Sequence, residues 1–278
     1  MKALKRILDF YIRGSIHVAL AVYALVRMTE HMFLIPHRNP VSLFAFFGTI
    51  AGYNFVKYHT LAATRKTALP NQIKAIAALS FFSLLLSGYY FLQLHPAAQL
   101  MTAGVLLLTI LYTLPFFPNR KNARNWAGVK IYMVSICWVG VTVVLPLVNA
   151  ELGFTTDFWL KCAQRFILVF VLILIFEIID LEKDDPHLHT VPQQIGVKNT
   201  KMLGIVLLLV FYSLESVRSV IDAQQLAVNL ILVVTTMLFL LFAKEGRSRY
   251  YSALWVEAVP VLWWLLIVGA DMISAGQR

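Results

Sequence analysis

The sequence predicts an all-α polytopic membrane protein, and three observations predict it. Hydrophobic residues fill 59% of 278 positions and charged residues only 14%, with a mean hydropathy of +0.73. A water-soluble domain carries roughly 25% charged residues, so this chain cannot cover itself with a polar surface. Its apolar stretches run for about 20 residues without strict alternation, the length of a bilayer-crossing helix rather than the pattern of a barrel strand. Within lipid, a helix satisfies its backbone polar groups internally.

The elements follow in order. Met1–Arg13 is basic and amphipathic, with Leu4, Ile7, Leu8 and Tyr11 on one side, and is expected to lie in the membrane interface. It is not expected to be a cleaved leader, because Arg27, Glu30 and His31 interrupt the apolar run behind it and no convincing small-residue cleavage site follows. Nine spans are expected at 15–36, 41–62, 74–94, 97–117, 129–149, 158–180, 202–221, 225–243 and 253–273. Pro36 and Pro40 divide the first span from the second, and basic turns close the second, fourth, sixth and eighth. The whole chain, 1–278, reads as one transmembrane domain.

Charge gives the orientation. With the N-terminus in the cytoplasm, the inner segments hold 17 Lys and Arg residues and the outer ones four: Arg38, Lys161, Arg218 and Arg278. That asymmetry is the positive-inside signature, and it leaves the C-terminus on the opposite side. The formal charge of +10 therefore reads as topology and contact with anionic lipid head groups, not as nucleic-acid binding. The two cysteines, Cys137 and Cys162, sit in or beside spans and indicate neither a disulfide framework nor a zinc site.

The chemistry concentrates at one place. Of 14 acidic residues, five fall between 177 and 185: Glu177, Asp180, Glu182, Asp184 and Asp185. At helical spacing, Glu177, Asp180 and Asp184 stack on one face. Carboxylates so arranged suit a hard divalent cation, above all one shared with a phosphate-bearing substrate. A solvated helix end balanced by Lys183 and Lys198 is the plainer reading. His187 and His189 add nitrogen ligands nearby, but without a third they read as a loop.

The run from Glu177 through Asp180, Asp184, Thr190 and Pro192 to Gly196 resembles the second signature of the UbiA-type intramembrane prenyltransferase superfamily. That signature is an Asp-x-x-x-Asp followed by a Thr-Leu-Pro-x-x-x-Gly-like segment. Tyr112-Thr-Leu-Pro115-Phe-Phe-Pro118, with Arg120 and Lys121 behind it, is similar to the Tyr-Ser-x-Pro-Pro and basic run closing that family's fourth helix. Lys130, Trp138, Pro146 and Glu257 also fall where the family has landmarks. The resemblance implies that two Asp-rich motifs face each other and hold Mg²⁺ on an isoprenyl diphosphate, whose ionisation gives an allylic cation captured by an aromatic or quinone-precursor acceptor.

One departure stands out. The family's first motif, Asn-Asp-x-x-Asp-x-x-x-Asp, appears here with Asn54 kept, Phe55, Tyr58 and Ala62 in place of the acids, and Lys57 added. Three lost carboxylates weaken one metal site. Lys57 then either takes over part of the metal's role at the diphosphate or forms a buried ion pair with Glu177 or Asp180. The resemblance thus implies Mg²⁺ on Asp180 and Asp184, with Lys57 beside them as a catalytic group. Asn54, Tyr58, Tyr112, Arg120, Lys121 and Glu177 would bind substrate. The alternative is a non-catalytic descendant that binds a quinone or lipid or serves a membrane complex as a subunit. Smaller features read as structure: Arg27 with Glu30 as a local pair, Trp263 and Trp264 as core, His59 as an interfacial histidine. Arg165 within the sixth span pairs structurally or lines a polar cavity.

Overall fold

A computed structural model describes residues 2–36, 39–64, 70–113, 128–219 and 222–276. Among them every regular element is a helix. The helices are α1 (Lys2–Arg13), α2 (Ile16–Met32), α3 (Val41–Thr64), α4 (Asn71–Phe91), α5 (Pro96–Thr113), α6 (Val129–Val139), α7 (Leu145–Asn149), α8 (Thr156–Asp180), α9 (Val191–Ser213), α10 (Ala223–Phe242) and α11 (Val259–Gly276). Nine spans were expected; among the described residues six helical segments are long and apolar enough to cross a membrane, or seven if the bent pair α1 and α2 is one span.

α8 is the axis of the bundle. Of its most apolar stretch 72% is buried, against 17–39% in the other five candidate spans. Its run of Ile, Leu, Val and Phe is apolar all round, as a helix surrounded by others must be. α2, α9, α10 and α11 close on it through a core that includes Leu25, Met28, Leu168, Ile175, Phe211, Leu232 and Trp263. α6 packs on another side of α8, while α3 and α4 lie outside α2. Side chains such as Phe81, Phe82 and Leu85 on α4 and Leu238 and Phe242 on α10 stay exposed on the bundle, the arrangement a lipid-facing surface requires.

Local sequence explains the irregularities. α1 meets α2 at a 60° bend. Gly14 allows it, because a Cβ there would come within 2.9 Å of the Phe10 carbonyl oxygen, and Ser15 completes it at φ 59. Pro146 and Pro260 each sit in the first turn after a widened π turn, Gly140–Val144 and Tyr251–Val256. Proline has no N–H for the carbonyl four residues back. For Pro146 that carbonyl belongs to Thr142, and it accepts instead from Thr29 Oγ1 at 2.6 Å.

α9 begins at Val191, not near 202 as expected. Thr190 and Gln193 form a capping box, with the Thr190 N–H donating to Gln193 Oε1 at 2.9 Å, so the polar stretch after the acidic segment is already helical. Gly196, at φ 76, breaks the helix one turn in; Gln193, Gln194, Lys198, Asn199 and Lys201 make this stretch polar, so the apolar run alone placed the start late.

Candidate functional site

The acidic segment closes the end of α8. Backbone N–H groups of Lys183 and Asp184 both donate to the Asp180 carbonyl, at 2.8 and 3.0 Å, so Asp180 and Asp184 sit one turn apart. Asp180 is 47% exposed, with Lys183 Nζ 3.8 Å away, and Asp184 is half-buried. Glu177 differs from both. It is buried, and its Oε2 accepts from the Val191 N–H at 3.1 Å. A carboxylate there satisfies an orphan donor and meets the positive end of the α9 dipole. Lys130 and Asp184 are its charged neighbours.

A second polar cluster gathers at the same end of the bundle. Asn54 on α3 is buried and fully engaged. Its Oδ1 accepts from Ser15 Oγ at 2.8 Å, while its Nδ2 donates to the Gly14 carbonyl at 3.0 Å and to Ser80 Oγ at 2.9 Å. Lys57, one turn on, donates to Ser15 Oγ at 2.9 Å and stands 5.9 Å from the Tyr53 ring. The charged groups acting on it are Glu257 and Arg249. Lys57 therefore pairs with neither Glu177 nor Asp180, as one reading of the sequence expected. Its acidic neighbour comes from the last span.

Tyr58 donates to the Arg13 carbonyl at 3.1 Å. His17 reaches the Leu254 carbonyl through Nε2 at 2.8 Å, which places a hydrogen on that nitrogen, and takes Tyr11 OH on Nδ1 at 2.8 Å. Tyr112 lies in α5, its side chain outside the described residues; Arg120 and Lys121 fall outside them altogether.

One segment joins the two clusters. Gly246 N–H donates to the Ile179 carbonyl at 3.2 Å, just before Asp180. Four residues later Tyr250 OH donates to Asp9 Oδ1 at 2.6 Å. Among the described residues no three His, Cys, Asp or Glu side chains converge as a metal site. Mg²⁺, however, commonly binds through one or two carboxylates and completes its shell with substrate phosphates and water. Asp180 and Asp184 fit that mode.

Sequence reasoning missed a third polar group at the other end of α8. Lys161, counted as an outer-loop cation, forms a buried ion pair of 2.7 Å with Glu215. Glu215 also accepts from Gln164 and Asn229, each at 2.9 Å, and from Arg218 at 2.8 Å. Arg165 is buried beside the Trp263 ring at 5.5 Å. Its nitrogens reach Thr142 Oγ1 at 3.2 Å and Thr29 Oγ1 at 3.4 Å, and its Nε has no partner among the described residues. Polar letters inside a long apolar run were the available signal. Arg27 and Glu30 do form the expected local pair, at 2.6 Å, and Trp263 is core.

No protein-family model and no curated protein matches the sequence. Two solved structures do match the fold. One is the structure of digeranylgeranylglyceryl phosphate synthase, 15% identical, with a TM-score of 0.58 over 97% of this chain and 99% of that one. The other is the apo structure of a UbiA homologue from Aeropyrum pernix K1, 16% identical, with a TM-score of 0.61 over 94% and 98%. Near-complete coverage in both directions, with the apolar helices described above, makes this chain an all-α integral membrane protein with the fold of the UbiA-type prenyltransferases.

Proposed function

We propose that this protein is a divergent membrane prenyltransferase that takes an isoprenyl diphosphate and a lipophilic aromatic or quinone-precursor acceptor. The observation carrying this reading is the pair Asp180 and Asp184, one turn apart at the end of the central helix, with Asp180 open and Glu177 diverted to the α9 terminus. Asp180 and Asp184 would hold Mg²⁺ jointly with the diphosphate. That ion, when bound, neutralises charge building on the leaving group. Lys57 and Arg249 supply fixed positive charge where the family's first acidic motif would bring a second metal, with Glu257 balancing them when no substrate is present. Arg120, Lys121 and Tyr112 belong to the same proposed substrate-binding set. The apolar bundle excludes water from the cation formed on ionisation. The N-terminus is proposed to face the cytoplasm, which puts both clusters on the side where soluble diphosphates arise.

A second reading draws on Asn54. Its three hydrogen bonds all go to protein, which suits a non-catalytic descendant that binds a quinone or lipid or joins a membrane complex. An assay of inorganic diphosphate release separates the two. Purified protein in nanodiscs is given an allylic isoprenyl diphosphate and a quinone-precursor acceptor, with Mg²⁺ or with chelator. Mg²⁺-dependent release abolished in Asp180→Asn supports the enzyme. Isoprenoid binding without release, under every acceptor tried, supports the non-catalytic reading.

A further inference from the structure

Two adjoining notches open at the end of the bundle where α1 lies, each about 250 Å³ in volume. Lys5, Asp9 and Ile12 line the first with Tyr250; Tyr58 and Gln72 line the second; Arg13 and Arg249 line both. On α1, Lys5, Asp9, Ile12 and Arg13 share one helical face, at spacings of four, seven and eight. The 60° bend turns that face across the bundle's end. Three cations thus meet one carboxylate, and that carboxylate is already held by Tyr250 OH at 2.6 Å. Arg13 gives one nitrogen to Gln72 Oε1 at 3.1 Å, which fixes the guanidinium and leaves its other donors open. The Arg249 side chain has no hydrogen bond or ion pair among the described residues.

We infer that this paired notch binds the phosphate of an anionic membrane lipid. Two guanidinium groups on a shared wall offer forked donors matched to phosphate oxygens. The amphipathic α1 supplies the membrane depth, because such a helix lies at the level of lipid head groups with its basic residues toward them. The surplus of positive charge excludes zwitterionic head groups as equal competitors. The site borders the proposed diphosphate site and shares Arg249 with it, but it uses neither Asp180 nor Asp184 and needs no divalent ion.

Native mass spectrometry of the full chain tests it, with phosphatidic acid, phosphatidylcholine and inorganic diphosphate as separate probes. Phosphatidic acid is expected to stay bound under conditions that strip phosphatidylcholine. Arg249→Gln and Arg13→Gln should each weaken its retention about fivefold, the scale of one cation at an anionic surface. Arg249→Gln removes no internal hydrogen bond, so it reports binding even if Arg13→Gln disturbs the α1 bend. Asp180→Asn should leave retention unchanged, which separates this site from the proposed catalytic one. Equal retention of the two lipids, or phosphatidic acid binding insensitive to Arg249→Gln, overturns the inference. So does arginine-dependent binding of inorganic diphosphate without phosphatidic acid, which would assign the notch to a soluble ligand.

Discussion

Ser15, at the bend between α1 and α2, donates to Asn54 on α3 at 2.8 Å. The one residue that keeps the family's first motif therefore holds the fold together at this point. Ser15 also accepts from Lys57, so three residues from two elements fix how α1 leaves the bundle.

Replacing Asn54 with Ala strands Ser15, Ser80 and the Gly14 carbonyl in a buried site. Each buried polar group left unsatisfied costs about 1–3 kcal/mol. Asn54→Ala is expected to lower the thermal midpoint in detergent by roughly 5–10 °C, since 1 kcal/mol moves a chain of this size by about 2–4 °C. Unchanged stability together with abolished ligand binding would instead make Asn54 a substrate-binding residue.

The Lys161–Glu215 pair is predicted to behave as a buried charge couple. Lys161→Met removes the ammonium from Glu215 but leaves it Arg218, Gln164 and Asn229, so it should destabilise by about 1–3 kcal/mol. Lys161→Met combined with Glu215→Leu should recover part of that deficit, because residues that touch are not additive. Thermal melts of the single and double variants measure the coupling; simple additivity contradicts it.

Arg165 gives the opposite expectation. Its guanidinium is buried with two hydroxyl partners and no carboxylate within 4.0 Å among the described residues. An apolar side chain of similar length removes a desolvated charge at little expense in packing. Arg165→Met should leave the midpoint within a few degrees of the parent or raise it. A fall comparable to that of Lys161→Met would show that the cation has a partner at this depth.

Much of the architecture is legible in the letters, because lipid leaves a helix few alternatives. Apolar lengths locate most of the long helices, α9 excepted, and Arg27–Glu30 is recoverable because its partners lie three residues apart. The misplaced start of α9 has a local cause, a capping box that begins a helix before its apolar stretch. The long-range polar pairings were not legible. Lys57 meets Ser15, 42 positions away, and feels the charge of Glu257, 200 positions away, while Lys161 meets Glu215 across 54. Spacing along one helix says nothing about which neighbour faces it. Glu177 shows the same limit. Periodicity puts it on the face of Asp180 and Asp184, yet the Val191 N–H, an unsatisfied donor nearby, claims its carboxylate.

Asp180 and Asp184 are proposed to bind a diphosphate through a divalent ion. Isothermal titration of a non-hydrolysable isoprenyl diphosphate into the protein in nanodiscs, with Mg²⁺ and with chelator, tests it most directly. The predicted result is binding that requires Mg²⁺ and weakens at least about tenfold in Asp180→Asn and in Asp184→Asn, the scale of removing one charged ligand group. Binding of equal strength with chelator, or unaffected by either substitution, would contradict the account.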